Sequence, residues 1–101
     1  MRKKLEVIWS EESAKRTDEI VDYLLKKFSI KEATHFLKLL KDFEKIVSQF
    51  PETYPLSINK KGIRRAIIAK QISILYSIDD SHIRVFTIFD NRQDPKNIEF
   101  Y

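Results

Sequence analysis

Apolar positions are spaced differently along this chain, and the spacing divides it into elements. Leu5 to Trp9 is a short apolar run, rich in β-formers and interrupted by Glu6, and reads as a first strand. Ser10 follows as a helix N-cap, with Glu11 and Glu12 in the first turn, where carboxylates meet the positive end of the helix dipole. Behind it Ala14, Thr17, Ile20, Val21, Leu24, Leu25 and Phe28 recur at steps of three and four, the mark of one buried helical face. The spacing predicts a helix from about Glu11 to Phe28, with Lys26 and Lys27 favourably placed in its last turn. Ser29-Ile30-Lys31-Glu32 is a capping-box sequence that opens a second helix. Its apolar face is Ala33, Phe36, Leu37, Leu40, Phe43, Val47 and Phe50, with Ile46 alongside, and Pro51 ends it. Two amphipathic helices joined so closely form a tight antiparallel hairpin, and each needs a further apolar surface to cover its stripe.

Pro51 to Gly62 holds two of the three prolines and the only glycine, and reads as a loop. The period then changes. Ile63 to Ala69, Gln71 to Ile78 and Ile83 to Asp90 are β-branched runs of strand length, with Asp79-Asp80-Ser81 as the turn between the last two. In the middle run Ile72, Ile74, Tyr76 and Ile78 alternate with Gln71, Ser73, Leu75 and Ser77, one mainly apolar face and one mixed face. The expected class is α+β: an N-terminal strand, an antiparallel two-helix hairpin, then a three-stranded antiparallel meander with the hairpin on one sheet face. The N-terminal strand is expected to join that sheet, because a lone strand is unstable.

Composition narrows this further. A chain of 101 residues has room for one domain, residues 1–101, and 43% hydrophobic with 12% aromatic content is enough for one packed core. The absence of cysteine excludes disulfides and thiolate metal sites. The basic start Met1-Arg2-Lys3-Lys4 resembles that of a signal peptide, but Glu6 and the Ser10-Glu11-Glu12 run end the apolar stretch too soon. No segment approaches the ~20 apolar residues of a membrane span. The expectation is a soluble, cytoplasmic protein with no membrane partner. The net charge of +4 is concentrated: residues 1–9 carry +2, residues 10–59 carry −1 and residues 60–101 carry +3. A basic surface near the C-terminal strands suits a polyanion or an acidic protein, or serves solubility alone.

Candidate chemistry follows the same distribution. His35 falls off the apolar stripe of the second helix and reads as exposed; His82 follows the acidic turn and is a candidate acid or base. Lys60, Lys61, Arg64 and Arg65 form a cationic patch at the start of the second strand. Adjacent strand residues point to opposite faces, so at most one of Arg64 and Arg65 lies on a free sheet surface. Arg92 stands at the end of the last strand among the turn-formers Asp90-Asn91-Arg92-Gln93-Asp94-Pro95, either aimed across the sheet or held in an Asp90–Arg92–Asp94 cluster.

Gly62-Ile63-Arg64-Arg65-Ala66, Ile74-Leu75-Tyr76 and Ile88-Phe89-Asp90-Asn91-Arg92-Gln93-Asp94-Pro95-Lys96, with the order of elements, resemble the RelE/ParE toxin superfamily over nearly the whole chain. The resemblance implies the toxin of a type II toxin–antitoxin module (plasmid stabilisation type). A cognate antitoxin would neutralise it by wrapping extended or helical segments around it. It implies no metal and no cofactor. The superfamily holds two activities: RelE-like ribosome-dependent mRNA endoribonucleases, in which basic groups stabilise phosphorane-like charge, and ParE-like inhibitors of DNA gyrase. For a nuclease the catalytic candidates are Arg64, Arg65, His82 and Arg92; for target or nucleic-acid binding they are Lys60, Lys61, Arg64, Arg65 and Arg92. Against a nuclease, the position three residues before Tyr76, where a RelE-like enzyme brings an arginine, is Ser73, and Tyr101 lies nine residues beyond Arg92. The reading is ParE-like, with the RelE-like nuclease as alternative. A further alternative is an inactive antitoxin-binding member, marked by Arg64, Arg65 and Arg92 all being held in structural pairs.

Overall fold

The computed structural model describes residues 4–92. Its elements are β1 (Glu6–Trp9), α1 (Glu11–Lys27), α2 (Ile30–Gln49), β2 (Arg64–Ala69), β3 (Ile72–Ile78) and β4 (His82–Asp90). This is the expected α+β order. Ser10 and Ser29 cap the two helices as their sequence positions require, accepting from the Ser13 and Glu32 amides at 3.0 and 3.2 Å. The second arm of the capping box is not made: the Glu32 carboxylate turns instead to Arg92, at 3.3 Å. Gln93 to Tyr101, with the expected Asp94-Pro95 turn and Tyr101, lie outside the described residues.

The sheet order is β1-β4-β3-β2. The meander β2-β3-β4 is antiparallel, and β1 joins its edge parallel to β4, from Glu6 opposite His82 to Trp9 opposite Val85. The sheet is therefore mixed. A parallel pair needs a long crossover, supplied here by both helices and the β2–β3 hairpin. Register aligns Ala66, Ile74 and Ile88 across three strands, and these meet Ile20 and Leu24 of α1 and Phe36, Leu40, Phe43 and Val47 of α2 in one core. Each such buried Val, Leu, Ile or Phe side chain contributes about 1.5–3 kcal/mol of apolar transfer energy. At one end Phe43 gathers Trp9, Tyr54 and Tyr76, with ring centroids 6.3, 6.1 and 5.6 Å away. The buried Tyr76 hydroxyl donates to the Pro51 carbonyl at 2.7 Å, tying the exit of α2 to the sheet, and burial pushes its phenol up to about 12.

Two features depart from simple periodicity. Leu25, Phe28, Leu37, Ile46 and Phe50 belong to the apolar helical stripes yet remain exposed, because those stripes are wider than the sheet face they pack on. In β4 the register slips: Leu75 pairs with Thr87 but Tyr76 with Val85, so Phe86 is an extra residue, a β-bulge. Core-facing positions accordingly change parity, from Ile83 and Val85 before the bulge to Ile88 and Asp90 after it.

Candidate functional site

The sheet has an outer face, away from the helices, and the first question is which candidates reach it. Arg65 is opposite Leu75, which is opposite Thr87, so these three share the outer face; Arg64 is opposite Tyr76 and shares the core face. The expected division of the two arginines holds. Arg64 extends along the aromatic end of the core and donates from Nη1 to the Tyr54 carbonyl at 2.7 Å, a structural role. Arg65 has no such anchor. Its Nε is enclosed and has no hydrogen-bond partner among the described residues, while its backbone amide donates to the Pro55 carbonyl at 2.9 Å.

That backbone bond belongs to a short fifth strand-like segment. Leu56 bridges to Arg64, and Ser57 donates to the Ile63 carbonyl at 2.6 Å, so Pro55–Ser57 covers the first half of the β2 edge. Gly62 makes the return possible: its φ of +77° lies in the left-handed region that a Cβ disfavours. Between this segment and β2 lies a cleft of about 360 Å³ reached by Leu56, Ile58, Asn59, Arg65 and Ile67. Ile58 is fully exposed, and Leu56 and Ile67 are more than half so. Lys60 stands beside a smaller depression with Ile63, Leu75 and the bulged Phe86, while Lys61 is exposed on the same loop.

Arg92 is held differently. It makes a two-point contact with the buried Asp90 carboxylate, Nε to Oδ1 at 3.0 Å and Nη2 to Oδ2 at 2.7 Å, and a third with Glu32 at 3.3 Å. Its guanidinium lies 5.2 Å from the Phe28 ring centroid, and its carbonyl accepts from the Tyr23 hydroxyl at 2.8 Å. The Asp90 side chain is 0% exposed and that of Arg92 21%. The hydrogen bond that Arg92 donates to Asp90 is the main cause of an upward shift in the Arg92 pKa. Sequence inspection foresaw Asp90; Glu32 and Phe28, some sixty positions away, carry no local signal.

His82 begins β4, and Arg92 lies past its other end. Across the nine residues of β4 a rise of ~3.3 Å per residue separates them by more than ~26 Å. One site cannot hold both. His82 sits instead in the hairpin turn, its Nδ1 3.6 Å from Asp79. Asp79 accepts from the Ser81 and His82 amides and from Arg84 Nε at 2.7 Å, and these hydrogen bonds, that from Ser81 first, lower its carboxyl pKa to about 2. Ser73, opposite Ile67 and Phe89 on the outer face, is buried. Among the described residues no three His, Asp or Glu side chains gather as a metal site, and no helix is long and apolar enough to cross a membrane.

The same architecture recurs in solved toxin structures. The chromosomal ParDE system from P. aeruginosa superposes with a TM-score of 0.74 at 14% identity, covering 88% of this chain and 98% of that one. The YoeB dimer of Staphylococcus aureus (TM-score 0.60, 15% identity, 85% and 95% covered) and the E. coli DinJ–YafQ complex (0.59, 15%, 90% and 97%) share it too. At such identities these likenesses establish the fold. No curated protein matches the chain in sequence. The family described as the ParE toxin of the type II toxin–antitoxin system, parDE, matches residues 7–95, and the chain belongs to that family.

Proposed function

We propose that this protein is the toxin of a type II pair, that it acts in the ParE manner by inhibiting DNA gyrase without cleaving RNA, and that a cognate antitoxin neutralises it. The observation that carries the reading is the dispersal of the groups a nuclease would have to bring together. Arg92 is committed to Asp90 and Glu32, Arg64 to a backbone carbonyl on the core face, and His82 lies at the opposite end of β4. Ser73 occupies the third-strand position where a RelE-like enzyme brings a cation. Phosphoryl chemistry without metal relies on converging positive charge, and each lost donor costs about 3 kcal/mol of transition-state stabilisation. Arg65, with no ionic partner among the described residues, argues against an inactive member whose arginines are all structurally occupied.

The purified protein is expected to inhibit gyrase supercoiling and to leave mRNA intact on translating ribosomes. Cleavage of that mRNA, lost on Arg65→Ala, would reverse the assignment in favour of the nuclease. Expression alone should arrest growth, and co-expression of a short acidic reading frame adjoining the gene should relieve the arrest; no arrest at high expression removes the toxin reading altogether.

A further inference from the structure

The cleft at the β2 edge differs in charge and in backbone from the rest of the surface. From Thr53 to Ile78 the chain carries five basic residues, Lys60, Lys61, Arg64, Arg65 and Lys70, and no acidic one. Pro55–Ser57 covers the β2 edge only as far as Arg65. Because the Arg65 amide points outward to Pro55, ladder alternation also turns the amide and carbonyl of Ile67 outward, where no β-strand among the described residues pairs with them. An unpaired strand edge is a template for an added strand. Beside it stand the exposed aliphatic side chains of Leu56, Ile58 and Ile67, and at its inner end the Nε of Arg65, which has no hydrogen-bond partner among the described residues.

We infer that this cleft binds an extended acidic segment of a partner protein, which continues the sheet past Ile67 and places a carboxylate on Arg65. The guanidinium fork matches a carboxylate in two-point geometry. The aliphatic walls accept the apolar residues that alternate with the acidic ones in such a strand. Among the described residues those walls carry no aromatic ring to stack a base, which favours a peptide over single-stranded RNA. A second copy of this chain would bring the same five cations against themselves. The inference rests on the antitoxin-neutralised toxin reading for the identity of the partner, but not for the chemistry of the cleft.

The test uses the full-length protein and three labelled probes: an alternating Glu-Val octapeptide, a Lys-Val octapeptide and a twelve-nucleotide single-stranded RNA. The Glu-Val probe is expected to bind and to shift amide resonances of residues 55–59 and 65–68, and the Lys-Val probe to leave them unmoved. Arg65→Ala should weaken the acidic probe tenfold or more, Arg65→Lys should restore part of the loss, and Lys38→Ala on the far helix should change nothing. Dispersed amide spectra of each variant check folding. A Glu-Val probe that does not bind, binds elsewhere, or is indifferent to Arg65→Ala overturns the proposal, as does Arg65-dependent binding of the RNA in its place. Growth arrest is scored separately: arrest without peptide binding removes this inference alone, and peptide binding without arrest removes the toxin reading alone.

Discussion

Ser10 serves two elements at once. Its hydroxyl caps α1 by accepting from Ser13 and also donates to the Phe86 carbonyl at 2.8 Å, fastening the helix start to the bulge of β4. Ser10→Ala is therefore expected to cost about 1–2 kcal/mol, at the upper end for an N-cap, and to lower the melting temperature by several degrees. Arg92 shows the same economy with higher stakes. Removing it leaves the buried Asp90 charge unpaired, so Arg92→Ala should destabilise the fold by about 3–5 kcal/mol in chemical denaturation, irrespective of any function. An activity lost in that variant is evidence of a role in chemistry only if its unfolding midpoint is unchanged. Asp79 makes a prediction in pH. Its folded pKa, about 2, lies below the ordinary carboxylate range, so the turn gains stability above that range and loses it as pH falls through 2. Carboxyl NMR should place the Asp79 midpoint near 2, and Arg84→Ala should raise it; a midpoint near 4 in the intact protein excludes the bonds described here.

At the level of elements the bulge in β4 decides which side chains face the core. Phe86 is 43% exposed, and its side chain contributes little to packing, so Phe86→Ala should cost about 1 kcal/mol or less. Deleting the residue takes out the extra position of the bulge and nothing else from the ladder. Val85 and Thr87 would then be consecutive opposite Tyr76 and Leu75, alternation would be regular, and Ile88 and Asp90 would keep the core face while Thr87 and Phe89 keep the outer one. The deletion variant should therefore still fold, as seen by retained amide dispersion; loss of dispersion would show that the bulge itself is required. The contrast within α2 follows the same logic. Phe36 is buried and its truncation to alanine should cost about 3–5 kcal/mol, whereas the neighbouring Leu37, largely outside the core, should tolerate serine.

For the whole molecule, Tyr76 links the exit of α2, the loop and the sheet through one buried hydroxyl. Its raised pKa means that the neutral phenol is favoured by folding: the associated stability is complete below pH 10 and is lost as pH rises through about 12. Alkaline unfolding should coincide with Tyr76 ionisation, and Tyr76→Phe, which leaves the Pro51 carbonyl without its donor, should cost about 1–3 kcal/mol. The charge asymmetry also acts at this scale, since the core separates a balanced helical layer from a cationic β2–β3 hairpin. Binding of the acidic probe should accordingly weaken with ionic strength, by screening of the exposed lysines.

The order of elements, their ends to within about a residue, the two serine caps and the face shared by Phe36, Leu40, Phe43 and Val47 were legible from spacing, because periodicity and capping are local properties of the chain. So was the division of Arg64 from Arg65, which needs only the pleat of a strand. The exposure of Leu37 and Phe50 was not, since a stripe records what can be buried and not how much surface is available to bury it. Nor was Phe86, although the unbroken run Val85-Phe86-Thr87-Ile88-Phe89 is what a mid-strand change of parity looks like. The tertiary structure alone decided that β1 lies parallel to β4, that Glu32 abandons its capping box for Arg92, and that Arg65 is left facing a cleft. Each depends on groups brought together from distant positions, and an ion pair or an unpaired edge exists only once those partners have met or failed to meet.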